Sequence, residues 1–223
     1  MNIVKYLVER GVSININNDK GETLLFNVCK SGNVNIVKYL VEQGVNINKE
    51  NNEGETVLFN ACSNGNVNLV KYLINHGLDI NKLNHRKETP LFNACSSGNE
   101  VLVKYFVENS AELNKGNREG ETPLFNEDEE LEGLVKYLIE NEADINKENR
   151  RGETPLVCAL NYRNGNIINY LIKLGSKLFK KNSMGLIPTD LVQVIDIFDL
   201  IELFDLIDKT LLSANEIITI KKK

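Results

Sequence analysis

The 223-residue chain carries 26 lysines and arginines against 31 aspartates and glutamates, which gives a formal net charge of −5. Because phosphate binding relies on a basic footprint, this balance argues against nucleic acid as the main partner. No apolar run is long enough to cross a bilayer without a charge, and the first residues lack the pattern of a secretory signal. We therefore expect an intracellular protein, cytoplasmic by default, with no membrane partner.

A unit of 33 residues recurs along the chain, with clear copies from Gly21, Gly54 and Lys87 and looser copies from Gly120 and Gly152. A fixed period of this length indicates a solenoid, because each unit must bury its apolar face against a neighbour. Residues 1–20 align only with the second half of the unit, so Ile3, Val4 and Leu7 are expected to lack their partner face. The chain is then either a piece of a longer array or begins with an exposed apolar patch.

Each unit contains the signals of two helices and a loop. Thr89-Pro90 has the pattern of an N-cap and a first-turn proline, which predicts a first helix over residues 90–97. Val67, Val70 and Ile74 lie at helical spacing within VNLVKYLIN, which predicts the second helix. Gly77 then provides a left-handed turn, and the polar residues that follow predict an extended finger loop.

Two short motifs make the unit resemble the ankyrin repeat. Thr89-Pro90-Leu91 and Thr122-Pro123-Leu124 are similar to the start of the family's pattern, while 44–48 and 77–81 are similar to its end. The resemblance implies an all-α ankyrin-repeat solenoid, with a helix-turn-helix and a hairpin finger in each repeat. It also implies a non-enzymatic scaffold that binds another protein on the concave surface formed by fingers and first helices.

One departure from the family is systematic, because phenylalanine stands where the family has histidine. The polar tie that this histidine makes is therefore absent. The asparagine that follows each phenylalanine either forms a hydrogen-bonded ladder between repeats or is a solvated row. The phenylalanines are Phe26, Phe59, Phe92 and Phe125, and the asparagines are Asn27, Asn60, Asn93 and Asn126.

The repeats divide the chain into seven segments. Residues 1–20 form a partial repeat, residues 120–151 a divergent one, and residues 185–223 an apolar capping segment. The regular repeats cover 21–53, 54–86 and 87–119, and a further, looser repeat covers 152–184.

The divergent repeat is expected to be the weakest. Ser110, just before it, and Glu142 within it replace the glycine of the left-handed turn, at a cost on the order of 1 kcal/mol each. Glu127 stands at an alanine place, and the acidic residues from Glu127 to Glu132 form either a solvated face or a docking patch for a basic peptide.

The last segment alternates apolar residues with an acidic stripe from Leu191 to Ile207. This pattern predicts a helical cap with one acidic face. With such a cap, the chain is expected to be a monomer. The alternative is a dimer-forming helix, which would give a homodimer through residues 191–207.

Few residues of the chain are of the types that catalyse reactions or bind metals. Cys29, Cys62 and Cys95 share one register, and their expected spacing of roughly 8–10 Å is too wide for disulfides, so they are interpreted as reduced core residues. Cys158 is expected to be buried alone. The chain has only two histidines and no nucleophile–base pair or phosphate loop, so we expect no enzyme activity, no metal and no cofactor.

The positions that vary between copies are the candidate binding residues. They are the finger tips Asp19, Lys20, Asn52, Glu53, His85, Arg86, Arg118, Glu119, Arg150 and Arg151, and the first-helix exits Ser63, Asn64, Ser96, Ser97, Asn161 and Tyr162.

The arginines at the finger tips have two possible roles. They either form surface ion pairs with the recurring glutamates at 22, 55, 88, 121 and 153 or receive an acidic segment of the partner. The alternative function is a targeting or regulatory arm of a larger protein, and a third is a structural spacer.

Overall fold

The computed structural model describes residues 2–125, 132–162, 164–177 and 181–185, which contain ten helices and no strand. The predicted all-α fold is confirmed. The chain divides into two compact units, residues 1–118 and 119–223. No helix within the described ranges is long and apolar enough to span a membrane.

The first unit alternates first helices with second helices, as the sequence predicts. The first helices α2, α4 and α6 stack on one another, and each packs against the second helix of its own repeat. The helices of this unit are α1 (Asn2–Glu9), α2 (Leu24–Lys30), α3 (Val34–Glu42), α4 (Val57–Asn64), α5 (Val67–Asn75), α6 (Pro90–Ser96) and α7 (Glu100–Glu108).

The second unit contains α8 (Glu132–Glu140), α9 (Pro155–Asn161) and α10 (Gly165–Lys173). Helix α10 packs on both α8 and α9. Glu132 begins α8 and pairs with Lys136 one turn later. Asn126, the rest of the acidic run and the whole segment from 186 onward, with its cap and dimer alternatives, lie outside the described residues.

Asparagine side chains begin the second helices, which the sequence analysis did not predict. Asn33, Asn66, Asn99 and Asn164 each stand at the N-cap, and the side-chain oxygen accepts a hydrogen bond from the backbone N–H three residues later. This bond satisfies one of the donors that a helix leaves free in its first turn.

The predicted N-cap position of the threonine before each first helix is confirmed. The threonines occupy the N-cap in extended backbone, but their hydroxyls make no capping bond. The hydroxyls of Thr23, Thr56, Thr89, Thr122 and Thr154 are buried without a partner. Phenylalanine at the family's histidine position presents no polar atom to them, and the rings of Phe26 and Phe59 are fully buried.

Left-handed backbone follows the second helices, as predicted. Gly77 has φ 94°, and the replacements Ser110 and Glu142 adopt φ 63° and 72°. A third residue, Lys87, has φ 62° at the place held by Gly54 in the preceding repeat. These three residues hold a conformation that costs an L-amino acid about 1–2 kcal/mol.

The three aligned cysteines are buried and free, in agreement with their interpretation as core residues. Burial raises the pKa of Cys29 and Cys95 to about 12 and that of Cys62 well above its usual range, so the thiols stay protonated. The expectation that Cys158 is buried alone is wrong, because this residue is half-buried and takes part in an interaction.

Helix α1 is more exposed than its counterpart α3. Ile3 is 75% exposed and Leu7 is 43% exposed, whereas Leu40, the counterpart of Leu7, is fully buried. This exposure agrees with the expectation that the apolar side chains of α1 lack a packing partner.

Candidate partner-binding surface

Four finger tips are closed by an asparagine and a glutamate four residues apart, which we call the Asn–Glu clamp. In the clamp of Asn51, the side-chain oxygen accepts hydrogen bonds from the N–H groups of Glu53 and Glu55, both at 2.9 Å. Its side-chain amide donates to Glu55 Oε2 at 3.0 Å. The same arrangement recurs at Asn18–Glu22, Asn84–Glu88 and Asn149–Glu153.

Successive tips are joined through the backbone. The N–H of His85 donates to the carbonyl of Glu53 at 2.7 Å, and the N–H of Arg118 donates to the carbonyl of Arg86 at 2.7 Å. The second unit repeats the pattern, since the N–H of Arg150 donates to the carbonyl of Glu119 at 2.7 Å. The tips therefore form a ladder of main-chain hydrogen bonds from which the variable side chains project.

The first-helix exits are joined by side chains instead. The amide of Asn64 donates to the carbonyl of Lys30 at 3.1 Å, one repeat back. Asn66 and Asn99 also reach back one repeat, to the carbonyls of Gly32 and Gly65. Of the asparagines that follow the phenylalanines, Asn93 bonds between repeats, since its amide donates to Ser63 Oγ at 2.9 Å, whereas Asn27 is exposed.

Two tips and one first helix of the first unit surround a groove of about 330 Å³. The tips contribute Glu53 and Arg86, and helix α6 contributes Ser96, so three of the predicted binding residues line the same space. The remaining lining residues, which the sequence analysis did not include among its candidates, are Glu55, Asn84, Glu88, Phe92 and Asn93.

The predicted ion pairs between tip arginines and recurring glutamates form at one tip. Arg151 Nε lies 3.0 Å from Glu153 Oε2 and its Nη2 lies 4.0 Å from Glu121 Oε1, although its side chain is 67% exposed. Within the described part of the first unit, neither Arg86 nor Arg118 takes part in an ion pair. The recurring glutamates are instead held by the clamp asparagines.

The opposite side of the repeats is held by lysines that lie over tyrosines of the next repeat. Lys38 Nζ is 5.6 Å from the ring centroid of Tyr72, and Lys71 Nζ is 5.0 Å from that of Tyr105. Lys136 and Tyr170 repeat the contact at 5.2 Å in the second unit. These cation–π contacts occupy the outer side of the second helices.

Sequence comparison identifies the repeated unit. Residues 1–84 match a family model described as ankyrin repeats (3 copies), and residues 67–107 match one described as ankyrin repeats (many copies). Residues 1–107 belong to the ankyrin-repeat family. No curated protein matches it.

Solved structures agree on the fold. The crystal structure of the ankyrin-repeat domain of Bcl-3, described as a unique member of the IkappaB protein family, matches with a TM-score of 0.70 and 19% identity. The match covers 90% of this chain and 91% of that chain. The ankyrin-repeat solenoid predicted from the sequence is thereby confirmed.

The predicted binding residues of this ankyrin-repeat chain fall into two groups. Four also hold the fold together: Asn52 donates to the carbonyl of Asp19, Ser97 Oγ donates to that of Ala94, and Asn64 and Ser63 make the contacts given above. The exposed others are Asp19, Lys20, Glu53, His85, Arg86, Ser96, Arg118, Glu119, Arg150, Arg151, Asn161 and Tyr162.

Proposed function

We propose that this ankyrin-repeat chain is a non-enzymatic scaffold that binds a partner protein on the face formed by its finger tips and first helices. The family's repeats are general protein-interaction modules, and the groove of the first unit supports this placement. Residues predicted from sequence variation alone, Glu53, Arg86 and Ser96, line that one groove. The rigid ladder behind them provides a pre-organised surface, which lowers the entropic cost of binding.

The outer face of the second helices is the less favourable surface. Its lysines and tyrosines are engaged with one another between repeats, so a partner would have to compete with these contacts. The tip side chains, by contrast, project from backbone hydrogen bonds that do not use them. Variable side chains on an invariant backbone suit a recognition surface.

Photo-crosslinking tests this proposal. A photoreactive phenylalanine analogue is placed at Ser96 in the groove and, as the matched control, at Lys104 on the outer side of α7. Each variant is incubated in an extract of the source cell, irradiated and analysed by mass spectrometry. We expect one partner protein to crosslink at Ser96 and not at Lys104. Equal crosslinking at the two positions, or crosslinking at Lys104 alone, would refute the placement.

A further inference from the structure

We propose that the groove of the first unit receives arginine side chains of an extended partner segment. This inference rests on the proposed function and names the chemistry of the partner. The groove is lined by three carboxylates, from Glu53, Glu55 and Glu88, and by a single guanidinium, from Arg86. This balance favours a basic partner over the acidic segment expected from the tip arginines.

Two of the three carboxylates are held in position before any partner arrives. The Oε2 atoms of Glu55 and Glu88 accept hydrogen bonds from Asn51 and Asn84 at 3.0 and 2.8 Å. Each carboxylate therefore keeps Oε1 available for a second donor. Because the clamp fixes the side chain, binding a cation there costs little rotamer entropy.

The chain itself shows that a clamped glutamate accepts a guanidinium. In the second unit, Arg151 Nε lies 3.0 Å from Glu153 Oε2, the same oxygen that accepts from Asn149 at 2.8 Å. The equivalent carboxylates in the first unit, Glu22, Glu55 and Glu88, have no lysine or arginine within ion-pairing distance among the residues described there. An arginine from a partner segment would complete at Glu55 or Glu88 the contact that Arg151 makes internally.

The surroundings favour arginine over lysine. Phe92 is half-buried and forms an apolar wall of the groove. A guanidinium stacks on an aromatic face while its planar fork binds carboxylate oxygens, whereas an ammonium is a strongly hydrated point charge.

The repeat sets the spacing of the partner's basic residues. Neighbouring helices pack roughly 8–10 Å apart. An extended segment in the polyproline II conformation advances about 3.1 Å per residue with three residues per turn, so side chains three positions apart share one face. Clamps one repeat apart therefore match basic side chains at every third position. An Arg-x-x-Arg segment would engage Glu55 and Glu88 together.

Titration with a defined peptide tests the inference. The probe is the acetylated and amidated peptide GSRVSRGS, and two matched peptides replace both arginines with citrulline, a neutral isostere, or with glutamate. Binding to the full chain is followed by nuclear magnetic resonance through the side-chain amides of Asn51 and Asn84. We expect the arginine peptide to shift both amides saturably and the other two peptides to bind at least about fivefold more weakly.

Variants of the protein locate the contact. Glu55→Gln and Glu88→Gln keep an oxygen for the clamp asparagine but remove the charge, so the fold is retained, which the melting temperature checks. We expect the double variant to lose at least about fivefold in affinity for the arginine peptide, while Glu100→Gln on α7 has no effect. Added salt should weaken binding, because the site is partly exposed.

Three results would overturn the inference. They are the absence of saturable binding by the arginine peptide, unchanged affinity in the double variant, and tighter binding of the glutamate peptide that Arg86→Ala abolishes. A partner that crosslinks at Ser96 but is captured equally well by the double variant would overturn the arginine inference and leave the proposed function standing.

Discussion

Two of the three left-handed glycines in the repeat 54–86 give the sharpest test of the packing described above. Gly77 has φ 94°, and a methyl group added there would meet nothing within 4 Å. Replacement by alanine adds about 1–2 kcal/mol of backbone strain, offset by about 0.4–1 kcal/mol from the less flexible unfolded chain. We expect Gly77→Ala to lower the free energy of unfolding by about 1 kcal/mol.

Gly54 has φ 74°, but a methyl group there would lie 2.6 Å from the ring of His85 and 3.1 Å from its backbone nitrogen. The ring can rotate away, whereas the nitrogen is held by its 2.7 Å hydrogen bond to the carbonyl of Glu53. Weakening that bond adds about 1 kcal/mol. We therefore expect Gly54→Ala to cost about 2 kcal/mol in total, twice the cost at Gly77.

Urea denaturation followed by circular dichroism measures both variants, and a shift of the midpoint at constant slope reports stability. In a His85→Ala background the cost of Gly54→Ala should stay at about 2 kcal/mol, because the ring can rotate away and the backbone contact remains. Equal costs for the two alanine variants would refute the argument that the next finger tip crowds Gly54. The converse substitution, Lys87→Gly, should relieve strain and leave stability unchanged or higher.

Three further predictions concern other parts of the first unit. Lys71→Met and Tyr105→Leu should show a coupling of about 0.5–1 kcal/mol in a double-mutant cycle of unfolding free energies, and zero coupling would mean that the 5.0 Å cation–π contact contributes nothing. Thr56→Val should not lower the urea midpoint, because it removes a buried hydroxyl that has no partner. A loss of about 1 kcal/mol, typical of a lost helix cap, would show that the hydroxyl does cap α4. Burial raises the pKa of Cys95 from 9.0 to about 12, so its contribution to stability is complete below pH 9.0 and is lost as the pH rises towards about 12. Cys95→Ala should therefore show a shallower decline of the urea midpoint over that range, and parallel declines would contradict the assignment.

The fold was predictable because the repeat imposes the same solution several times. The apolar spacing of VNLVKYLIN located α5 from Val67 to Asn75, and the left-handed turns at Ser110 and Glu142 followed from alignment with Gly77. Lys87 shows the same substitution at another glycine place. Its strain was equally readable from the aligned copies, since Gly21 and Gly54 occupy that place in the preceding repeats.

The contacts between repeats were harder to predict, because they depend on lateral distances that a linear sequence does not contain. The sequence suggested ion pairs between the recurring glutamates and the arginines beside them. In the structure, Glu55 instead accepts a hydrogen bond from the side chain of Asn51. The four-residue spacing of this pair was visible in every copy. The contact of Lys71 with Tyr105 was not, because it joins residues 34 positions apart.

The candidate site was predictable in part for the same reason. Variation between copies identified Glu53, Arg86 and Ser96, which line one groove, but it passed over Glu55, Asn84 and Glu88 because these recur unchanged. Phe92 was noted only as a departure from the family pattern. A groove combines variable and constant residues, and a search for variation finds only the first kind.

The ladder of finger tips separates stability from recognition in a way that bears on how such a chain evolves. The bonds that join His85 to Glu53 and Arg118 to Arg86 run between N–H and C=O groups, which every residue except proline supplies. Substitutions at these tips therefore leave the hydrogen bonds between neighbouring repeats in place while they change the charge and shape on display. New partners can be acquired by single mutations without passing through unfolded intermediates, so a library randomised at positions 53, 85, 86 and 118 should consist mostly of folded members.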